Sequence, residues 1–212
     1  MKWILLAAAL IPATCICQSV TTGAMSRVAP TGPSPADADM VHEGSGMHFP
    51  KRIGDFMRTR AMRFDEAGTD VAATYHLNED SLSITATAYI YPGREADREE
   101  SAPTLDALAR NMLCTQELDK RTRELAGAHP NSVIGAPVVT TLAQAGSEHT
   151  GYRISFNDYE DYGGTPQNVG AEFYLFCFAK DDWTIAYRFS YPAKSAVREQ
   201  ITRFMRELDW PQ

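Results

Sequence analysis

Three carboxylates and two phenols crowd the segment NDYEDYGG, residues 157–164. Asp158, Glu160 and Asp161 carry the oxygen donors that a hard cation prefers, and Gly163-Gly164 lets the backbone turn. The spacing is not that of an EF-hand loop. Tyr159 and Tyr162 equally suit a contact surface in which aromatic rings anchor a polar rim. A solvated connector between two strands is the plainer reading of the same residues. The metal identity, if there is one, stays unknown.

Cysteine offers a second kind of chemistry. Residues 173–180 read FYLFCFAK, and Cys177 shares a strand face with Phe173 and Leu175. No histidine lies close in sequence to draw off its proton, and apolar surroundings oppose the thiolate. A nucleophile is therefore the weakest of three readings. The others are a small packed residue and a disulfide to Cys114, 63 positions earlier. Such a bond would tie the main helix to the sheet, and only geometry can establish it.

The five histidines, His42, His48, His76, His129 and His149, form no HExxH motif and no close pair. A zinc site assembled from distant positions would leave no trace in such spacing. Ser45 and Ser155 do not complete a GxSxG elbow, and no P-loop or Rossmann glycine pattern is present. Carboxylates are plentiful, but without facing geometry none earns an acid or base role. No catalytic residue and no cofactor is assigned. Arg58, Arg60 and Arg63 make a compact basic run, read as the wet face of an edge strand, with an anionic ligand as the lesser alternative.

The elements that must hold these groups begin behind a leader. MKWILLAAALIPATCICQ opens with Lys2, continues through an apolar stretch from Trp3 to Ile11, and then reaches Pro12 and small residues. That order is a signal peptide over residues 1–17, with periplasmic or secreted export. The apolar stretch is roughly half of a bilayer crossing, so no transmembrane segment is expected in the mature chain. Pro12 and Thr14 do not suit a lipoprotein signal, which argues against an anchor on Cys15. Removing the leader takes Lys2 and leaves the chain one unit more negative than its formal −7. That balance opposes nonspecific nucleic-acid binding.

Residues 18–48 are rich in Pro, Gly, Ser, Thr, Ala and Asp, and read as a flexible linker or arm. One globular domain follows over 49–210. Residues 53–64 and 71–77 suit paired strands, and 82–90 alternates cleanly, with Leu82, Ile84, Ala86, Ala88 and Ile90 on one face. Tyr91-Pro92-Gly93 stops that strand. A helix is expected over 104–125 with two apolar stripes, Leu105, Leu108, Ala109 and Met112 against Cys114, Leu118 and Leu125. Residues 121–134 include a polar connection. Strands at 138–143, 152–156, 171–178 and 183–189 follow, the last two as a hairpin. A terminal helix carries Val197, Ile201, Phe204, Met205 and Leu208 in one stripe, with Ser195 as its cap.

Phe49-Pro50 before the first strand, the YIYPG strand ending at Gly93, the long helix after it, and Tyr191-Pro192 leading into a helix that ends at Trp210 together resemble the PsbP-like alpha-beta-alpha sandwich group. The resemblance spans most of 49–210 and is carried by short signals. It implies an α+β fold, a predominantly antiparallel sheet covered by helices, and an accessory or binding role. It transfers no catalytic residue. The expectation is thus an exported, noncatalytic binding protein for an envelope protein or small ligand. The rival is an extracytoplasmic hydrolase whose site converges only in three dimensions.

Overall fold

The computed structural model describes residues 39–79, 82–93, 107–144, 146–180 and 182–211. The expected leader, Cys15 and most of the expected arm lie outside the described residues.

The strands in chain order are β1 (Met40–Val41), β2 (His48–Phe49), β3 (Arg52–Ile53), β4 (Phe56–Arg63), β5 (Val71–Glu79) and β6 (Leu82–Pro92). After helix α1 (Ala107–Ala128) come β7 (Val133–Ile134), β8 (Val138–Gln144), β9 (Ser147–Tyr162), β10 (Thr165–Lys180), β11 (Trp183–Pro192) and helix α2 (Arg198–Glu207). The large sheet has the order β3-β4-β5-β6-β11-β10-β9-β7, with β8 also on β9, and every pairing is antiparallel. β1 and β2 form a separate hairpin.

Side-chain alternation gives the sheet two apolar faces, since successive residues point to opposite sides. On one, Tyr75, Ile84, Tyr174, Phe176, Tyr187 and Phe189 meet Ile201, Phe204 and Met205 of α2. The Phe204 ring sits edge-on to Phe56 at 4.8 Å, Tyr75 at 5.2 Å and Phe189 at 5.6 Å. On the other, Ile154, Phe156, Phe173, Leu175 and Ala186 meet Leu118 and Leu125 of α1. The result is an α+β architecture with a large antiparallel sheet partly covered by two helices. Among the described residues no helix is long and apolar enough to cross a membrane.

Of the two expected stripes of α1, one is packed and the other is wet at Leu108 and Met112, while residues 104–106, Leu105 among them, lie outside the described residues. Leu118 and Leu125 are buried, whereas Leu108 is 69% exposed and Met112 57%. Cys114 is bonded to Cys177 of β10, with 5.6 Å between their Cα atoms. Arg121 joins the packed stripe. Its guanidinium bonds Glu117 and Glu124 and lies 4.9 Å from the Tyr91 ring centre. This aromatic contact and double pairing let a charged residue lie buried, and they carry α1 through to Ala128. The helix therefore runs past its expected end at Leu125 and takes in residues 126–128, which composition assigns to the connection.

Other sequence expectations are corrected by the same packing. Ser195 does not cap α2: the N-cap is Val197, with no side-chain hydrogen bond, while the Ser195 amide bonds Pro192. Arg58 is not wet. An extra residue at Thr59 shifts the β4–β5 register, so Arg58 turns inward and donates to the Phe49 carbonyl oxygen while Arg60 stays exposed. Residues 39–48 also differ from a floppy arm, because Met40, His42 and Met47 are buried against the first core.

His42 makes this hairpin sensitive to acid. Its Nδ1 accepts the Ser45 amide at 3.2 Å and lies 2.7 Å from the Ser45 hydroxyl, and its ring meets Trp183 edge-on at 4.6 Å. Burial lowers its pKa from the ordinary 6.5, outweighing the opposite pull of the Thr69 and Gly68 backbone and of the Asp65 and Glu43 charges. The unfolded chain therefore takes up a proton that the folded hairpin refuses. Stability from this group is complete above about pH 6.5 and declines as the pH falls below it. Amide exchange at residues 40–49, corrected for intrinsic rates, should quicken from pH 7.5 to 5.5. Unchanged protection would refute this. His149 shifts in the same direction, also through burial, so a global melt would mix the two.

Candidate functional site

The site lies where α1 ends over the sheet. His129 follows the last helical residue, and its amide still bonds the Leu125 carbonyl at 2.9 Å. Pro130 prevents further helix. Ser132 donates to the His129 carbonyl oxygen through both its amide, at 3.0 Å, and its hydroxyl, at 2.7 Å. That turn feeds β7, where Val133 pairs with Asn157 and Ile134 with Phe156. The chain is thus pinned on both sides of His129, and the imidazole is laid beside Asp158.

Phe156, Asp158 and Glu160 occupy alternate positions of β9 and so share the face that α1 covers. Near Phe156 that face is apolar. Beyond the end of α1 it turns polar, and two carboxylates can remain half-wet. His129 Nδ1 lies 2.6 Å from Asp158 Oδ2, with the two side chains 11% and 15% exposed. The other Asp158 oxygen accepts the Tyr159 amide at 2.7 Å. Ligand atoms of His129, Asp158 and Glu160 all fall within 4.8 Å of one another.

Arg188 of β11 completes the group. Its Nη2 is 3.0 Å from His129 Nε2, and its guanidinium carbon lies 5.7 Å from the Phe156 ring centre. A guanidinium has only donors, so Nε2 is the acceptor here and Nδ1 carries the hydrogen given to Asp158. The His129 ring leans on Phe156 at 5.2 Å. The α1 carbonyl terminus adds a negative dipole end, and the last helical turn contains no basic residue to offset it.

One nitrogen and two carboxylate oxygens within this span match the reach of a divalent cation. Bonds of roughly 2.0–2.4 Å place ligands no more than about 4.8 Å apart. Mixed imidazole and carboxylate donors suit zinc, manganese or ferrous iron better than calcium. With three protein ligands, positions remain for water and substrate.

The segment first singled out is distributed by this geometry. It is no connector: β9 runs through Tyr162, and only Gly163 and Gly164, both at positive φ, make the turn into β10. Strand pairing continues to Tyr162 opposite Thr165, which binds polar residues into the ladder. Asp158 and Glu160 join His129. Asp161 points to the opposite face and accepts the Gly164 amide at 2.9 Å. Tyr159 is 66% exposed. The Tyr162 hydroxyl lies 2.9 Å from the Ser190 carbonyl oxygen and 3.3 Å from Thr85 Oγ1.

Sequence reasoning missed His129 as a partner and Arg188 altogether. Each left a faint signal. His129 precedes a proline just beyond an amphipathic helix, and Arg188 is the one charged residue in the apolar run WTIAYRFS.

No protein-family model and no curated protein matches the chain.

The expectation of a noncatalytic binding protein is corrected by the cluster itself. His129, Asp158 and Glu160 come from two separate elements and converge on one cation-sized space beside a guanidinium. That arrangement argues against a purely accessory role and favours the rival reading of a site assembled from distant residues.

Proposed function

We propose that this chain is an exported hydrolase whose centre is His129, Asp158 and Glu160 holding a divalent cation. The observation that carries the reading is the convergence of their ligand atoms within 4.8 Å. A cation there would supply Lewis acidity and lower the pKa of water. In ester hydrolysis the water oxygen adds to the electrophilic centre and the ester bond breaks. The proton released by the water ends on the leaving alkoxide. Phe156, 5.2 Å from the His129 ring, would orient the imidazole, and α1 with Phe156 keeps one side of the centre dry.

A metal-free variant has its own support. The Asp158–His129 bond of 2.6 Å is the orienting half of a general-base pair, in which Nε2 takes a proton from the attacking water once Arg188 releases it. Chelation separates the two. The disulfide and the apolar start of the sequence support an oxidising compartment outside the cytoplasm. Helices on both faces of one sheet support a PsbP-like three-layer sandwich.

The test is a panel of chromogenic phosphate, carboxylate and glycoside esters, assayed with zinc or manganese and again after chelation. Turnover that disappears on chelation and returns with the cation supports the proposal. Turnover indifferent to chelation transfers it to the metal-free pair, and absence of cation binding by calorimetry defeats the metal centre.

A further inference from the structure

The unusual member of the site is Arg188. It is half-buried, its β-ladder neighbours are Thr87 and Phe173, and it forms no ion pair with a carboxylate among the described residues. Its hydrogen bond goes instead to a neutral imidazole nitrogen. A partly desolvated guanidinium with no carboxylate partner among the described residues is a charge awaiting an anion.

We propose that Arg188 recognises the oxyanion of a phosphate-ester substrate, and that cation and oxyanion bind this site cooperatively. The inference rests on the cation-assisted reading above. Its basis is the single hydrogen of the His129 ring. For Nδ1 to hold a cation, its hydrogen must go, and the neutral ring then carries hydrogen on Nε2. Two N–H groups would face each other across the present 3.0 Å. Arg188 has no acceptor lone pair and keeps its charge, so it must leave Nε2.

The space between His129 and Asp158 must also open. Two bonds of about 2.0 Å at a tetrahedral angle hold their ligands about 3.3 Å apart, against the present 2.6 Å. A ring that draws back from Asp158 pushes Nε2 towards Arg188, since the two nitrogens point to nearly opposite sides, so the guanidinium has to give way. An oxyanion reaching from the cation to Arg188 gives the freed fork an acceptor. Phosphate fits because its oxygens match the paired N–H groups of arginine. Conversely, an oxyanion that draws Arg188 away removes the contact that opposes the cation. Such coupling is reciprocal.

The experiment measures manganese affinity by calorimetry, with and without inorganic phosphate, for the wild-type protein, Arg188→Gln and Arg188→Ala. Phosphate should tighten manganese about 5–150-fold in the wild type, the ordinary span for coupled sites. Without phosphate, both variants should bind manganese more tightly than the wild type, and phosphate should then have little effect. Glutamine keeps the polar side-chain stem that alanine removes, so agreement between the variants excludes a folding artefact. Acetate provides the carboxylate arm, and coupling equal to that of phosphate would overturn the phosphate assignment. Manganese bound normally but with identical phosphate coupling in all three proteins would overturn the role of Arg188. No manganese binding in any of them would defeat the cation centre itself.

Discussion

Replacing His129 by alanine should weaken binding of a divalent cation by at least about 100-fold and abolish any chelator-sensitive turnover. Loss of a group that merely supports a metal ligand commonly costs 10–100-fold, so removal of the sole nitrogen donor sets that range as a floor. Asp158→Asn is the sharper companion. It keeps the volume and an acceptor for the ring hydrogen, yet removes the charge a cation requires. If the centre is a metal site, both variants lose the cation while retaining the melting temperature within a few degrees, because both side chains are partly wet. If it is only a helix-end hydrogen bond, Asp158→Asn will leave cation affinity unchanged, and calorimetry will show it. Glu160→Gln should also weaken the cation, since it removes the charge of one of the three ligands.

The second large effect concerns stability. Changing Cys114 and Cys177 to serine together should lower the unfolding free energy by about 4 kcal/mol, from the chain entropy of a loop of 63 residues. Against total stabilities of roughly 5–15 kcal/mol this is a major part. It falls on a weakly held element, because α1 buries little beyond Leu118, Arg121 and Leu125. Urea unfolding of wild-type and double-variant proteins gives the comparison, and equal midpoints with equal slopes would rule out a stabilising role. The effect on the site should be smaller. Fourteen helical residues lie between Cys114 and His129, a rise of about 22 Å, and β7 pairing holds the turn after His129 independently.

How far the sequence could be read depended on where each signal arose. The alternation at 82–90 and the stripe from Val197 to Leu208 are local, and both became the elements they describe. The two stripes of α1 could not be ranked locally, because nothing in Leu108 or Met112 says that they stay exposed while Leu118 and Leu125 are covered. Residues 157–162 were read as a connector for the converse reason. Their polarity suits solvent, but a strand keeps its ladder wherever a neighbour supplies one, and β10 supplies it as far as Thr165.

The candidate centre was half legible. Asp158 and Glu160 stood out through their carboxylates and their two-residue spacing, which a strand converts to one face. His129 and Arg188 did not, because they lie 29 and 30 positions away from Asp158 in opposite directions along the chain. The pairing of β7 with β9 brings in the first, and the β9-β10-β11 order brings in the second. By itself the sequence determined the alternating strands, the apolar stripe of the terminal helix and the residue types available for chemistry, since all of these follow from local period and side-chain size. Only the tertiary structure decided which carboxylate meets the imidazole, whether the cysteines join, and where the guanidinium lies, because contacts between distant positions depend on strand order and register.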